Sequence, residues 1–223
     1  EVRFEDFVDD DGHSDEAIRI SVAIRVHDGR ITVDFYGSNG QVVGPVNCTR
    51  VMTESAVYYA LLSALGPEIP ANTGCYRPVE VVTEPGTVVD CRFPAPVAGR
   101  MATAHRVVNA VHGALAQLLA DSVPSAYYGT SYVYALATED SAGRPSVYFE
   151  IEVGGGGASP GADGASAYSC GLHNLSNTPV EMIEAEHPVT FVEYGLRPNS
   201  GGAGRYRGGL GLVRAWRLDA AAG

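Results

Sequence analysis

The sequence predicts an α+β fold with mixed or antiparallel β-sheets and two main helices. Alternating apolar residues from Ile18 to Val26, followed by the turn His27-Asp28-Gly29, indicate a β-hairpin. Apolar residues recur at helical spacing from about Val51 to Leu65, and again from about Thr103 to Ala120. Strand-like runs stand before, between and after these helices. This order of elements is typical of the α+β class.

The hairpin and the first helix are defined by their apolar faces. The return strand buries Ile31, Val33 and Phe35, which places Asp34 on the opposite face. The first helix stops at Gly66-Pro67. Its buried face is predicted to contain Val57, Leu61 and Ala64.

The second helix carries two separate stripes of side chains. The apolar stripe, which we expect in the core, consists of Val107, Val111, Ala114, Leu115 and Leu118. The other stripe is polar and consists of His105, Asn109 and His112. Strands are also predicted in four later or intervening runs: Val79–Thr83, Tyr127–Ala137, Ser146–Val153 and Pro188–Leu196.

Charge and composition exclude several classes of function. The net charge of −11 disfavours binding to nucleic acid or to anionic membranes, which need a basic surface. All fifteen basic residues are arginine, so this chain cannot supply a P-loop lysine or a Schiff-base lysine. No apolar run reaches the roughly 18–20 residues that a membrane helix needs.

The four cysteines, Cys48, Cys75, Cys91 and Cys170, are irregularly spaced and form no CxxC pair. We interpret them as reduced, buried thiols of a cytoplasmic protein. Two disulfides in a secreted protein are the alternative.

The polar stripe of the second helix is the first candidate site. It could line a cleft in which His105 acts as an acid or base, or it could be a solvated helix face. Metal binding by His105 and His112 alone is disfavoured, because residues seven apart are separated by roughly 10 Å along a helix.

A second candidate site follows the return strand. It comprises Asp34, Ser38, Asn39, Gln41 and Asn47, whose short polar side chains suit an amide, a carboxylate or a ureide. The same side chains could instead satisfy backbone groups of the loop.

The glycine-rich segment Arg197–Gly211 resembles an anion cradle, with Arg205 and Arg207 adding positive charge. The alternative is a tight structural loop whose arginines pair with carboxylates of this acidic chain. Upstream, the glutamates 181, 184 and 186 are candidates for catalysis or for subunit contact, although closely spaced glutamates usually form a solvated face.

Seven short segments occur in the order found in the hydantoinase B/oxoprolinase family, which this chain resembles over nearly its whole length. They are Phe4–Gly12, Val33–Ser38, Pro45–Asn47, Ile69–Asn72, Gly129–Thr130, Asn177–Glu181 and Ser200–Gly211. The resemblance implies that residues 1–223 are the C-terminal half of a B-type subunit, with a possible sub-boundary near residues 120–130.

The resemblance also implies a reaction and partners. We expect an ATP-dependent hydrolase that opens a hydantoin, 5-oxoproline or lactam ring, with ATP bound by a hydantoinase A-type partner. A ketone carboxylase subunit of acetone or acetophenone type, and a non-catalytic docking half, remain open as alternatives.

A divalent metal is implied as well. Its ligands are expected outside this chain, in an N-terminal half of the B-type subunit, because the motif His-x-x-Asp-x-Gly does not occur here.

Within this chain we assign catalytic roles to His105 and Asp34. The residues predicted to contact the small-molecule substrate are Ser38, Asn39, Gln41, Asn47, Asn109 and Arg205. No residue of the chain is predicted to bind a cofactor or to ligate the metal.

Overall fold

The computed structural model describes residues 1–119, 122–139 and 143–219. They form two compact units, the first made of Glu1–Thr130 with Ser159–Gly161, and the second of Ser131–Ala158 with Ala162–Gly223. Both combine helices with mixed or antiparallel sheets, so the predicted α+β class is confirmed.

A four-stranded sheet forms the frame of the first unit. Its strands lie in the order β1 (Val2–Val8), β2 (Ile18–His27), β3 (Arg30–Asp34) and β4 (Val79–Val82). The first three strands are antiparallel, whereas β4 pairs with β3 in parallel. The sheet is therefore mixed.

The β2–β3 turn has the predicted geometry. Gly29 adopts a φ of 72° and Asp28 a φ of 48°, the positive values that a two-residue hairpin turn requires at both positions. Along β2 the predicted apolar face is buried from Ile18 to Ile24, but Val26 is exposed, which corrects the prediction at that position. Val26 pairs with the half-buried Ile31 at the end of the hairpin.

Two long helices belong to this unit, and one of them packs on the sheet. The helix α1 (Arg50–Leu65) is capped by Gly66, whose amide donates to the carbonyl of Leu62 and whose φ of 100° turns the chain away from the helix. The short helix α2 (Thr73–Tyr76) follows, and α3 (Met101–Leu115) packs against α1, β1 and β2. The predicted apolar stripe of α3 is buried from Val107 to Leu115.

The C-terminal end of α3 differs from the prediction. The helix ends at Leu115, whereas the sequence predicted that it continues to about Ala120, a residue that lies outside the described part of the chain. Leu118 follows in a turn and is half exposed, so its assignment to the core stripe is wrong.

The second unit contains two antiparallel hairpins and one helix. The strands β5 (Tyr132–Glu139) and β6 (Pro145–Glu152) form one hairpin, and β7 (Val189–Leu196) and β8 (Leu212–Leu218) form the other. The helix α4 (Val180–Glu186) contacts β7. A small core forms from Tyr148, Ile183 and Val189, with Leu136 and Phe191 packed against it.

Glycine allows three segments of the second unit to stack backbone on backbone. Gly209 donates its amide to the carbonyl of Gly156, and the amide of Gly156 donates to the carbonyl of Ala165. A Cβ atom at Gly209 would lie 2.0 Å from the carbonyl oxygen of Ala165, and one at Gly155 would lie 2.0 Å from that of Gly209. Only glycine fits positions where backbones approach so closely.

We therefore expect Gly209→Ala to destabilise the protein by about 1–3 kcal/mol, because the backbone must move to make room for the added methyl group. Gly202→Ala is the matched control, since a Cβ at Gly202 meets nothing within 4 Å. Urea denaturation of both variants measures the difference. Equal free energies of unfolding in the two variants would show that the stacked backbones move apart without a loss of stability.

Candidate functional site

The polar side chains at the end of β3 and in the loop after it all form hydrogen bonds within the protein. The Asp34 carboxylate accepts from the amide of Tyr36 at 3.0 Å and from the guanidinium of Arg25 at 3.2 Å. Ser38 exchanges two hydrogen bonds with the backbone of Ser21, accepting at 3.1 Å and donating at 3.3 Å.

Asn39 and Gln41, the next two predicted site residues of this loop, also bond to backbone groups of the protein. Asn39 accepts with its side-chain oxygen from the amide of Arg19 at 2.9 Å, and Gln41 accepts from the amide of Arg92 at 2.8 Å. Their assignment to substrate contact stays a prediction. The contacts themselves match the alternative that these side chains satisfy backbone groups.

Asn47 is fully buried and uses both ends of its side-chain amide. Its oxygen accepts from the amide of Val42 at 2.8 Å. Its nitrogen donates to the carbonyls of Val42, Gly44 and Pro96 at 2.9–3.0 Å.

Asp11 completes this arrangement from the other side. Its carboxylate accepts from the buried amide of Gly44 at 2.9 Å, and from the amides of His13 and Ser14 at 2.9 and 2.8 Å. These three backbone donors lower the pKa of Asp11. A Cβ at Gly44 would lie 1.9 Å from the Asp11 carbonyl oxygen, so the approach requires glycine. We call Asp11, Gly44 and Asn47 the loop clamp.

The polar stripe of α3 is buried, so the alternative of a solvated helix face is wrong. His105 is fully buried, with Nδ1 lying 2.6 Å from the Tyr127 hydroxyl. The Nε2 of His112 lies 2.8 Å from the Ser63 hydroxyl, and burial lowers the pKa of His112 to about 4. The ring is thus neutral at physiological pH.

Asn109 lies between these two histidines and is only 6% exposed. Neither its side-chain oxygen nor its nitrogen has a hydrogen-bond partner among the described residues. An unsatisfied buried polar group costs about 1–3 kcal/mol. Of the predicted site residues, Asn109 is the one whose polarity the described contacts do not explain.

The glycine-rich segment near the C terminus matches the structural alternative. Arg207 donates its amide to Asp163 at 2.7 Å, and its guanidinium lies 3.7 Å from the same carboxylate. Arg205 is exposed and lies over the ring of Tyr206, 5.6 Å from the centroid. A substrate role for Arg205 stays a prediction.

The second unit contains a buried ionic cluster that the sequence patterns did not predict. The Arg214 guanidinium forms a short ion pair with Glu150 and lies 3.6 Å from Glu152, and all three side chains are buried. The same guanidinium stacks over the ring of Tyr194, 4.4 Å from the centroid. Burial and the neighbouring Glu150 raise the pKa of Tyr148, whose hydroxyl donates to that carboxylate.

The sequence holds only a weak signal for this cluster. Tyr148, Glu150 and Glu152 alternate with Val147, Phe149 and Ile151 along β6, which predicts a strand but suggests that the apolar face is buried. In the structure Val147 and Phe149 are exposed and the glutamates are inside. Arg214, the group that makes this possible, is 64 residues away from Glu150.

The described residues contain neither a metal-binding group nor a membrane helix. Within residues 1–119, 122–139 and 143–219, no three His, Cys, Asp or Glu side chains are grouped so that they could hold a metal ion. The divalent metal implied by the resemblance therefore does not fit these residues. No helix in the same ranges is long and apolar enough to cross a bilayer.

One apolar cavity of about 260 Å³ lies in the first unit. Its lining includes Tyr58, Leu61, Cys75 and Tyr76, and none of the predicted polar site residues. All four cysteines carry free thiols, but only Cys48 is buried; the other three are half-buried.

A sequence model described as hydantoinase B/oxoprolinase matches residues 1–222. The chain belongs to this family. It is 33% identical over 215 residues to the B component of a putative D-/L-hydantoinase of Pseudomonas sp. strain NS671, a match that covers 93% of this chain. It is also 33% identical over 211 residues to 5-oxoprolinase 1 of Arabidopsis thaliana, covering 94% of the chain.

Solved structures show the same fold. An ATP-dependent caprolactamase from Pseudomonas jessenii superposes with a TM-score of 0.83 at 26% identity, over 97% of this chain and 39% of that one. A nucleotide-free acetone carboxylase superposes with a TM-score of 0.79 at 17% identity, over 98% and 32%.

This family member spans only part of its curated relatives. It covers 36% of the length of the hydantoinase component and 16% of the oxoprolinase.

For the buried ionic cluster of this family member, we expect Arg214→Leu to destabilise the protein by about 3–5 kcal/mol, because two buried carboxylates lose their cation. The control is Arg217→Leu, since Arg217 pairs with Asp219 at 3.2 Å on the surface and such pairs contribute at most about 1 kcal/mol. Guanidinium denaturation separates the two variants. Similar losses would mean that the cluster is hydrated and weak.

Proposed function

We propose that this chain is the C-terminal part of a B-type subunit in an ATP-dependent enzyme that hydrolyses cyclic amides. The observation that carries the proposal is family membership over residues 1–222, together with 33% identity to the B component of a putative hydantoinase. The fold similarity to an ATP-dependent caprolactamase, at 26% identity, supports a ring amide as the substrate class.

The composition of this chain indicates which steps other parts of the enzyme must carry out. It has no lysine, so a P-loop lysine for ATP must come from another polypeptide or region. We assign ATP to a hydantoinase A-type partner and the divalent metal to residues outside this chain. Phosphorylation of the amide would convert a poor electrophile into one with a good leaving group. The cytoplasm is the compartment we propose, since free thiols persist there.

Asn109 is the residue of this chain that we propose for substrate recognition. A buried amide whose oxygen and nitrogen lack partners among the described residues can donate to and accept from another amide. His105, four residues earlier and on the same face of α3, would orient or protonate the ring nitrogen if α3 shifts in the complete enzyme. Asp34 is held by Arg25, so a catalytic role would require that ion pair to open.

A ketone carboxylase is the second candidate, and the specific observation behind it is the superposition on acetone carboxylase. At 17% identity that likeness shows the fold alone. The two reactions differ in the fate of the activated intermediate, which reacts with water in the hydrolase and with a bicarbonate-derived electrophile in the carboxylase. A non-catalytic docking half is the third interpretation.

We expect the complete protein, co-purified with its A-type partner, to open hydantoin, 5-oxoproline or caprolactam in an ATP-dependent reaction that needs no bicarbonate. Chromatography of the ring-opened product and of released ADP measures it. In the same assay Asn109→Leu should lower kcat/KM by about 10-fold or more, the effect of losing one or two hydrogen bonds to substrate.

The design separates catalysis from folding. Asn109→Leu removes two unpartnered polar atoms and should leave the free energy of unfolding unchanged or higher. Ser55→Ala, at an exposed position of α1 where the hydroxyl donates only to the carbonyl of Val51, is the control that should not alter kcat/KM. A bicarbonate requirement would favour the carboxylase. ADP release and ring opening unaffected by Asn109→Leu would contradict the role of Asn109, and no turnover of any ring amide would contradict the function.

A further inference from the structure

A serine and a histidine of the second unit form a close pair outside the residues considered so far. Ser131 Oγ lies 2.5 Å from His173 Nε2, and both side chains are half-buried. Ser131 directly precedes β5, and His173 lies in the loop that leads to α4. Partial exposure distinguishes the pair, because a nucleophile must be close to its base and also reachable by a substrate.

Three other contacts between a histidine and a hydroxyl group each lack one of these properties. His112 contacts Ser63, but the ring is buried. His105 contacts the phenol of Tyr127 and is fully buried. His187 lies 3.5 Å from Ser146 Oγ, at the limit of a hydrogen bond.

The loop that carries His173 is held by its own contacts. Ser169 Oγ accepts from the amide of Leu175 at 3.3 Å, which closes the loop on either side of His173. Gly171 adopts a φ of 70° within it, a value that favours glycine. Burial lowers the pKa of His173, so the ring is neutral at pH 7 and one nitrogen carries a lone pair.

We propose that Ser131 is a nucleophile activated by His173, and that the pair cleaves esters with good leaving groups through an acyl-enzyme. This inference does not depend on the proposed cyclic-amide hydrolysis. In the tautomer protonated at Nδ1, the Ser131 hydroxyl donates to Nε2 of His173, the arrangement a general base needs.

Water is the co-reactant of the proposed reaction. Ser131 Oγ bonds to the ester carbonyl carbon while its proton passes to His173 Nε2. The bond from the carbonyl carbon to the leaving oxygen breaks, and that oxygen takes the proton from His173. Water, deprotonated by His173, then attacks the acyl-enzyme and releases the acid, and the proton returns to Ser131.

The test uses p-nitrophenyl acetate with the full chain. We expect a burst of p-nitrophenol and an acetyl group that peptide mass spectrometry locates on Ser131. Ser131→Ala should abolish this acetylation, and His173→Gln should slow it by about 100-fold or more, as expected for loss of a general base. Ser146→Ala is the matched control and should leave the rate unchanged.

Circular dichroism and urea denaturation establish that each variant is folded, and Ser131→Cys provides a second nucleophile at the same place. Its thiol should acetylate faster than the same thiol in the double variant Ser131→Cys/His173→Gln, which lacks the base. Acetylation of folded chain at other residues only, or a Ser131 rate that His173→Gln leaves unchanged, would overturn the proposal and leave the contact as an anchor for the loop.

Discussion

The loop clamp is the interaction on which the first unit depends. Asn47 and Asp11 together bond the amide and carbonyl of Gly44, the amide and carbonyl of Val42, and the carbonyl of Pro96. The two bonds at Gly44 are buried, so water cannot replace them. The chain on either side is then fixed. Cys48 pairs through its backbone with Val88 and Cys91, and Thr103 donates from the start of α3 to the carbonyl of Val46. The clamp therefore sets where both long helices begin relative to the sheet.

Buried backbone amides and carbonyls need hydrogen-bond partners, and the two units supply these partners in different ways. The first unit uses short polar side chains, and several of these belong to the segments by which the family is recognised, including Ser38 and Asn47. The second unit uses glycine instead, so that backbones such as those at Gly156 and Gly209 satisfy one another directly. A recognisable motif can thus report a folding requirement. The groups left for chemistry are those that the fold itself does not occupy, above all Asn109.

The spacing of apolar residues predicted the elements that depend on neighbours close in sequence. The stripe from Val107 to Leu115 and the β2–β3 hairpin follow from residues a few positions apart, and they are as expected. The strand β1 was not predicted, because Val2–Val8 mixes acidic and aromatic residues and is an edge strand that gains its order by pairing with β2. The side chain of Glu150 is buried because it pairs with Arg214. No local pattern can reveal this partner, since it lies 64 residues away in the sequence. Likewise, the polar stripe of α3 was compatible with a solvated face because its partners are distant in sequence, as Tyr127 is from His105 by 22 residues.

Asn47 holds the fold of the first unit together, and denaturation of Asn47→Ala tests this role most directly. The substitution leaves the amide of Val42 and the carbonyls of Val42, Gly44 and Pro96 without their partner, so we expect the free energy of unfolding to fall by about 2–4 kcal/mol. Asn39→Ala, which removes one hydrogen bond at an exposed position, should cost less than about 1 kcal/mol. Amide hydrogen exchange at Val42 should accelerate in Asn47→Ala alone. Equal losses in the two variants, with Val42 still protected, would contradict the account.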